Sequence, residues 1–594
     1  MSKSLLVALR PGWVLAPVGI IFVLTFFRLI YFQLDQGAEV EGRVLSRVMY
    51  ETEIEAPRGK ILDRHGAVLA EDRGVWALEM DEPAKLRRHL RPGMERELLK
   101  RELTLIAEAA GVPLAELAAV VLNPKKTYAV LADDLSSSEH RRLAAILRTM
   151  RGSGIKMRRH WRRVYPQGRA LAHMVGLLVD HDGKREGVLG LEAMCQDDLH
   201  GQDGSKASLG VAGGRGINPA LGFQAAQEAP AVETTLDSRI GAVLLEQLDA
   251  VQLEHNPDWV AGVVVDVRTG DLLAIGGLPD FNPNWPGENT TRDEEGHLLG
   301  LALPAFWPIE PGSTCKPFIV GRALQEGAIQ ETDTFSNRGG TWNIRKPPIR
   351  NASGVPDRPM TPREVLAYSS NIGAGQIGLK LGVDGVQRAF RDFAFWEPLG
   401  LSLREPFPGI EPAAKYWKGK QGTIWTVPSV SMGHQLQITP ARLAYSFAAL
   451  VNGGQYFKPR LFAGQPIAAP RKVLSESVSK FLCMAMTDVV EMPHRVWLPR
   501  SSGFRWGGKS GTTQKLHESN YTSLFAAFGP TENPEIVVVI VADNPKGKEH
   551  YGSKVAGVAA GNVLRRSVEL MARAPRSVDL VPASTGVMFS NRKP

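Results

Sequence analysis

Three short stretches, in a fixed order along the chain, carry side chains that could act on a carbonyl carbon. Ser313 and Lys316 form a Ser-x-x-Lys within Pro311-Gly312-Ser313-Thr314-Cys315-Lys316. Ser369-Ser370-Asn371 is a Ser-x-Asn, and Lys509-Ser510-Gly511-Thr512 joins a lysine to a glycine flanked by hydroxyls. The chemistry they suit is covalent acyl transfer through a serine. A serine hydroxyl is a poor nucleophile and needs a base within hydrogen-bond reach. Lysine serves as that base only when neutral, and burial or a neighbouring cation lowers its pKa. The i, i+3 spacing puts Lys316 on the same face as Ser313. Ser313 follows Pro-Gly and opens an apolar helix ending at Gly327, so its backbone N–H is an orphan donor near the positive end of the dipole. Lys509 would supply the second cation from a strand edge. Gly511 would let a substrate backbone come close, and Thr512 would offer an N–H and a hydroxyl, with Thr513 beside it. A cation and hydroxyls beside the nucleophile suit a substrate ending in a carboxylate. Ser369 and Asn371 would complete a proton relay and hold Lys316.

Each stretch alone has a plainer reading. Ser477-Val478-Ser479-Lys480 is a second Ser-x-x-Lys with nothing around it, and Arg268-Thr269-Gly270 reads as a hairpin turn. Ser369 to Asn371 could be the N-cap of a helix beginning at Ile372, and Lys509 to Thr512 a plain turn. Three in series, in the right local contexts, favour catalysis.

The elements that must position these groups belong to a chain of 594 residues, long enough for two or more domains. Its 43% hydrophobic and 22% charged residues are ordinary globular material. The net charge of +8 is scattered and comes with no nucleic-acid motif, so it reads as solvated faces drawn to an anionic envelope. Cys195, Cys315 and Cys483 form no ligand cluster, so no metal, cofactor or disulfide framework is indicated. Cys315, between Ser313 and Lys316, reads as a small buried residue.

From Pro11 to Phe27 no residue is charged, and the apolar run continues past Arg28 to Phe32. This predicts an uncleaved membrane anchor over 12–33 with residues 1–11 in the cytoplasm, since Lys3 and Arg10 precede it. Ala56 to Ala70 reads as strand, turn and strand. Residues 83–150 read as helical, with Arg96–Ala110 and Ser138–Arg148 most clearly periodic. The Gly/Ala-rich segment 207–230 reads as a linker or hairpin loop. A second domain begins near Val232, with a helix over Ser238–Leu253 and a hairpin around Thr269-Gly270. A helix capped by Thr439 and stopped at Gly453-Gly454 follows. Strands at 524–528 and 536–541 and a helix over 556–571 close the domain, which predicts one antiparallel sheet joined by its first and last elements.

With these residues in place, the chain resembles the class B penicillin-binding proteins, the monofunctional D,D-transpeptidases of peptidoglycan synthesis, from the anchor to about Met571. Arg58-Gly59 with Asp63-Arg64-x-Gly66, and Tyr165-Pro166 with Gly168, His173, Gly176 and Gly190-Leu191-Glu192, are similar to the family's non-catalytic motifs, which makes His173 structural. Glu310-Pro311-Gly312-Ser313 and Tyr551-Gly552 also fit. The resemblance implies an α+β (mixed) fold: a transmembrane helix, an elongated α/β pedestal over 39–231, a penicillin-binding transpeptidase domain over 232–573 and a flexible tail over 574–594. It makes Ser313 the acylated residue, Lys316 its base, Ser369, Asn371 and Lys509 catalytic, and Ser510 to Thr513 substrate-binding, with an oxyanion hole from the N–H groups of Ser313 and Thr512. Ser313 would take the penultimate D-Ala carbonyl of a stem peptide, release D-Ala, and pass the acyl group to a neighbouring amine; β-lactams would trap the first step. Partners implied are stem peptides and lipid-linked precursors, divisome proteins and a polytopic membrane glycosyltransferase, since none is visible in this chain. The location is the inner (cytoplasmic) membrane, single-pass, with the bulk periplasmic or extracytoplasmic. Met432-Gly433-His434 ahead of Gln437-Ile438-Thr439-Pro440 looks closer to division-type than elongation-type enzymes. One departure is Leu299 to Trp307, where the family often carries an Asn/Arg-rich approach. Alternatives are an elongation-type enzyme, a D,D-carboxypeptidase or β-lactam hydrolase, a β-lactam sensor, and a catalytically silent scaffold.

Overall fold

The computed structural model describes residues 11–34, 49–81, 95–122, 128–149, 154–181, 184–209, 222–285, 302–401, 409–493, 495–500, 503–515 and 520–573. Contacts divide the chain into two compact units that interleave in sequence: 1–58, 74–161 and 200–229 form the first, and 59–73, 162–199 and 230–594 the second. A single break near Val232 therefore does not describe the packing. The reason is long-range pairing within the second unit. Ile61–Leu62 runs parallel to Val232–Glu233, and the Asp63 carboxylate accepts from the Ser238 N–H at 3.1 Å and from its hydroxyl at 2.7 Å.

In the first unit a helix spans Pro11–Leu34. Among the described residues no helix is long and apolar enough to cross a membrane. Helices Glu95–Ala110 and Ser137–Thr149 match the periodic segments and bury Leu103, Ile106 and Leu143 in a separate small core. The helical reading of 83–150 fails at Tyr128–Leu135, which is a strand paired antiparallel with Trp76–Asp81. Its ladder partner is distant in sequence, so tertiary pairing overrides a weak local pattern. Met49–Ile54, Gly204–Leu209 and Gly222–Gln224 form an antiparallel sheet. The Gly/Ala-rich segment is thus flanked by paired strands; residues 210–221, like the tail 574–594, lie outside the described residues.

The second unit holds the larger core. Helix α1 (Ser238–His255) starts at Asp237, whose carboxylate accepts from the N–H groups of Arg239 and Ile240. Strands β1 (Trp259–Asp266) and β2 (Leu272–Leu278) are the expected hairpin. Helix α2 (Lys316–Gln325) follows a 3₁₀ turn over Gly312–Cys315. Helix α3 (Asn371–Arg391) starts at the Ser370 N-cap. Helix α4 (Pro440–Val451) has Thr439 as its cap, as read, and α5 (Glu476–Glu491) comes next. Strands β3 (Gly507–Gln514), β4 (Tyr521–Gly529) and β5 (Ile536–Asp543) precede α6 (Gly557–Arg573). The five strands form one antiparallel sheet in the order β2-β1-β5-β4-β3, so the first hairpin does pair with the last strand. Every residue of β1 and β5 is buried, so both faces are covered. α1 and α6 pack on each other and on the sheet, and α4 packs on β1 and β5. β3 lies at one edge of the sheet and β2 at the other. His173 is buried with its ring edge-on to Phe281 at 5.5 Å, a packing role.

Candidate active site

Ser313 and Lys316 lie one 3₁₀ turn apart, and the Lys316 N–H donates to the Ser313 carbonyl. In a 3₁₀ helix residues at i and i+3 eclipse, so this turn aligns the two side chains more closely than an α-helix would. Ser313 is half-buried, whereas Lys316 is fully buried. Below them Phe318 packs edge-on against Phe395 at 4.8 Å and Phe393 at 5.1 Å, fixing α2 in the core. Pro317 falls at the start of α2, where no internal donor is needed. Cys315 is buried, and burial, with Glu310 nearby, raises its thiol well above the ordinary range. It is packing, not a nucleophile.

The Ser-x-Asn stretch closes over the buried amine. Lys316 Nζ donates to the Ser369 carbonyl at 2.6 Å, to Asn371 Oδ1 at 2.8 Å and to Ser369 Oγ at 3.2 Å. Ser369 sits at φ 59°, a left-handed conformation uncommon for a non-glycine residue, and it directs both its carbonyl and its hydroxyl at Lys316. The N-cap reading of this stretch also holds, one residue earlier than expected: Ser370 accepts from the Gly373 N–H at 3.0 Å, and Asn371 is the first residue of α3. Capping fixes the backbone from which Ser369 and Asn371 reach the lysine.

The third stretch is a strand, not a turn. From β3, Lys509 Nζ donates to Ser369 Oγ at 2.9 Å and to the Ser510 carbonyl at 3.2 Å. One hydroxyl is thus shared by two buried amines, and every acceptor they reach is a neutral oxygen. Burial lowers Lys316 to about 7. Burial, then the charges of Lys316 and Arg495, push Lys509 well below its ordinary value. Both amines are thus held below the ordinary lysine range, with burial the leading cause in each.

The strand also presses on the Ser313 turn. A Cβ on Gly511 would lie 2.7 Å from the Pro311 carbonyl oxygen, so only glycine fits. A Cβ on Gly312 would lie 2.5 Å from Thr513 Oγ1 and 3.6 Å from the Thr512 backbone nitrogen, which places the Thr512 amide beside the turn. Thr513 donates to the Glu310 carbonyl at 3.2 Å. The Thr512 hydroxyl is already engaged, accepting from the Gly552 N–H at 2.9 Å. Ser510 contributes its carbonyl here, not its side chain.

Two supports escaped the sequence reading of the site. Asn351 Oδ1 accepts from the N–H groups of Asn371 at 2.7 Å and Ile372 at 3.1 Å, and from the Ser370 hydroxyl at 3.3 Å. It holds the start of α3 from a loop, and no local pattern marks it. Gly433, at φ 85°, accepts from the Gly312 N–H at 3.1 Å, and a Cβ there would come 1.9 Å from the Gly312 carbonyl oxygen. The glycine beside Met432 was visible, but its contact was not. Glu310 Oε1 accepts from the Gln435 N–H at 3.0 Å, and Oε2 lies 3.2 Å from His434 Nδ1, tying the same two segments together. The Ser-x-x-Lys at Ser477 lies in α5, away from this cluster.

Comparison with known proteins agrees with this geometry. The model of the penicillin binding protein transpeptidase domain matches residues 260–565, and that of the penicillin-binding protein dimerisation domain matches 53–221. The chain is 25% identical over 576 residues to the probable peptidoglycan D,D-transpeptidase PenA of Neisseria gonorrhoeae, covering 95% of this chain and 93% of that one. It is 26% identical over 531 residues to the peptidoglycan D,D-transpeptidase FtsI of Escherichia coli K12, covering 86% and 84%. In fold it is similar to penicillin binding protein 2X from Streptococcus thermophilus, with a TM-score of 0.69 at 19% identity over 88% of this chain and 81% of that one. A transpeptidase match over more than half the chain, preceded by the dimerisation match, shows that this chain belongs to the class B penicillin-binding proteins, the serine-type D,D-transpeptidases.

Proposed function

We propose that Ser313 is the acylated residue of a membrane-anchored peptidoglycan D,D-transpeptidase working in septal wall synthesis. The observation that carries this is the convergence of Lys316, Ser369, Asn371 and Lys509 one 3₁₀ turn from half-buried Ser313. Neutral Lys316 takes the Ser313 hydroxyl proton as Oγ attacks the penultimate D-Ala carbonyl. The developing oxyanion is held by the N–H groups of Ser313 and Thr512. The C–N bond breaks, the departing D-Ala amine receives a proton through the Lys316–Ser369–Lys509 set, and Ser313 holds an ester. An amine from a second stem attacks that ester, gives up a proton to the same set, and leaves an amide and free Ser313. Ser510 to Thr513 line the substrate's path along β3, and β-lactams stop the enzyme at the ester.

The septal assignment leans on the FtsI relative and on the Met432-Gly433-His434 segment. Anchoring leans on the uncharged run from Pro11 to Phe27, and on a helix that leaves Phe22 at 77% and Phe27 at 63% exposed, apolar surface that lipid would cover. Divisome proteins and a polytopic glycosyltransferase are the partners this reading supplies.

Labelling with a fluorescent penicillin, wild type beside Ser313→Ala, followed by peptide mapping, tests the assignment. Label on Ser313, absent from the variant and slow to leave, supports a transpeptidase over a β-lactam hydrolase. A folded wild-type chain that takes no label, with or without its membrane, sinks the assignment. Removing residues 1–34 should release the chain from membranes; a truncated chain that still sediments with them would remove the anchor.

A further inference from the structure

The chain's net charge of +8 is spread along the sequence, and folding gathers part of it beside the Ser313 site. Two segments meet there. The first, 338–356, holds Arg338, Arg345, Lys346 and Arg350 and no acid. The second, 412–431, holds Lys415, Lys418 and Lys420 and no acid. Arg345 joins them: its Nη1 donates to the Trp425 carbonyl at 3.0 Å and to Ser429 Oγ at 2.5 Å. Both segments pack on α3, since a Cβ on Gly375 would lie 3.1 Å from the Trp342 ring and 3.4 Å from Pro428. Both also reach the acyl-transfer site. The Arg350 carbonyl accepts from Asn371 Nδ2 at 2.8 Å, and the second segment runs on through Met432 to Gly433, which accepts from the Gly312 N–H.

Among the described residues none of these cations lies in an ion pair, whereas Arg358 and Glu411, just outside the two segments, pair with Glu364 and Arg391, each at 2.6 Å. The other acids close by are engaged too: Asp357 accepts from Asn337 Nδ2, and Glu310 from the Gln435 N–H. Aromatic rings hold the cations without neutralising them. Arg338 lies over Trp342 at 5.4 Å, Arg345 over Trp425 at 5.4 Å and Lys415 over Tyr416 at 5.0 Å. Arg345 is half-buried, its Nε has no hydrogen-bond partner, and burial lowers its pKa with no carboxylate to offset the loss. The other six are exposed.

Like charges on one face repel, and a single-sign face beside a catalytic site concentrates ligands of the opposite sign. Cations spread over two segments, with rings between them, suit an anionic polymer more than one small anion. The acyl-transfer substrate is such a polymer: many stems hang from one glycan strand, and each unreacted stem ends in a D-Ala carboxylate. Each transfer releases one of those carboxylates as free D-Ala, so a strand loses its hold on a basic face as it is joined.

We propose that this face docks an uncrosslinked peptidoglycan strand through the carboxylates of stems other than the reacting one. This rests on the acyl-transfer reading of Ser313.

The test uses the full Ser313→Ala chain in detergent, which reads binding without turnover, and fluorescent soluble strands whose amines are acetylated. Their carboxylates are either left free or converted to methyl amides. Free-carboxylate strands should bind about tenfold more tightly than amidated ones, the lower end of what a focused field supplies. Raising salt from about 0.05 to about 0.3 M should remove most of that preference, because exposed charges are screened. Lys415→Glu, Lys418→Glu and Lys420→Glu together should abolish it. The same charge change at Lys458, Lys472 and Lys480 should leave it intact; all six side chains are exposed, so neither triple disturbs the core. Equal binding of free and amidated strands overturns the proposal, as does a preference that the first triple keeps or that both triples lose. Tighter binding of polyphosphate than of the free-carboxylate strands also overturns it, since the occupant would then be a phosphate polymer. Penicillin labelling of the wild-type chain separates the two readings: label on Ser313 without a strand preference ends the docking face alone, and no label ends the acyl-transfer reading.

Discussion

Among the described residues the Ser-x-x-Lys spacing occurs twice, with opposite outcomes. At Ser313 the spacing lies in a 3₁₀ turn, and its lysine is fully buried among neutral oxygens. At Ser477 it lies in the first turn of α5, where Lys480 is 73% exposed and pairs with Glu476 at 2.7 Å, an i, i+4 contact on the helix surface. The Ser477 hydroxyl lies 3.1 Å from that of Ser475, the helix cap. Spacing aligns a hydroxyl and an amine in both places. Only desolvation makes the amine a base, and desolvation comes from segments distant in sequence: Ser369 and Asn371 on one side, and Lys509 on the other.

The comparison breaks most sharply at the two serines. Ser313→Ala should lower acylation by a fluorescent penicillin at least about 10³-fold, the scale of losing a nucleophile, whereas Ser477→Ala leaves the rate unchanged. A labelled Ser477 would reverse the assignment. Gly433→Ala comes next. The added methyl meets the Gly312 carbonyl at 1.9 Å, so the turn must move, and a shift near 1 Å costs about 10²-fold in acylation rate. A cooperative melt at near wild-type temperature would show that the loss is positional and not unfolding.

The pH profile separates the two lysines. Burial lowers Lys316 to about 7, and as the proposed base it works when neutral, so acylation should fall about tenfold per pH unit below that point and level off above it. The folded-state pKa lies below the unfolded one, so between these values the unfolded chain binds more protons and stability rises with pH. Lys480→Ala should leave the rate profile where it is. A wild-type profile flat from pH 5 to 9 would remove Lys316 as the base. Asn351→Ala takes an acceptor from three donors at the start of α3. It should cost about 1–2 kcal/mol in denaturant unfolding, as loss of a helix cap does, and slow acylation through Asn371. The smallest effect is Lys480→Ala itself, within about 0.5 kcal/mol, because exposed i, i+4 pairs contribute little.

The helix and strand assignments fared best where the signal was local. Asp237 and Thr439 cap α1 and α4 through side chain to backbone bonds within three residues, and the β1–β2 hairpin turns at Gly270, φ 76°. They fared worst where the partner was remote. Tyr128–Leu135 became a strand because Trp76–Asp81 pairs with it. Residues 59–73 joined the second unit because Ile61–Leu62 pairs with Val232–Glu233.

By itself the sequence supplied the candidates and their order: Ser313, Lys316, Ser369, Asn371 and Lys509, with Gly511 read as room for a substrate backbone. Residue type and short spacing are local quantities, and a chain displays them before it folds. The tertiary structure decided which Ser-x-x-Lys became a site, that two lysines share one hydroxyl, and that Asn351 and Gly433 hold the parts in place. Those outcomes depend on burial and on contacts between segments tens to hundreds of residues apart, and water leaves a lysine only when the whole core closes around it.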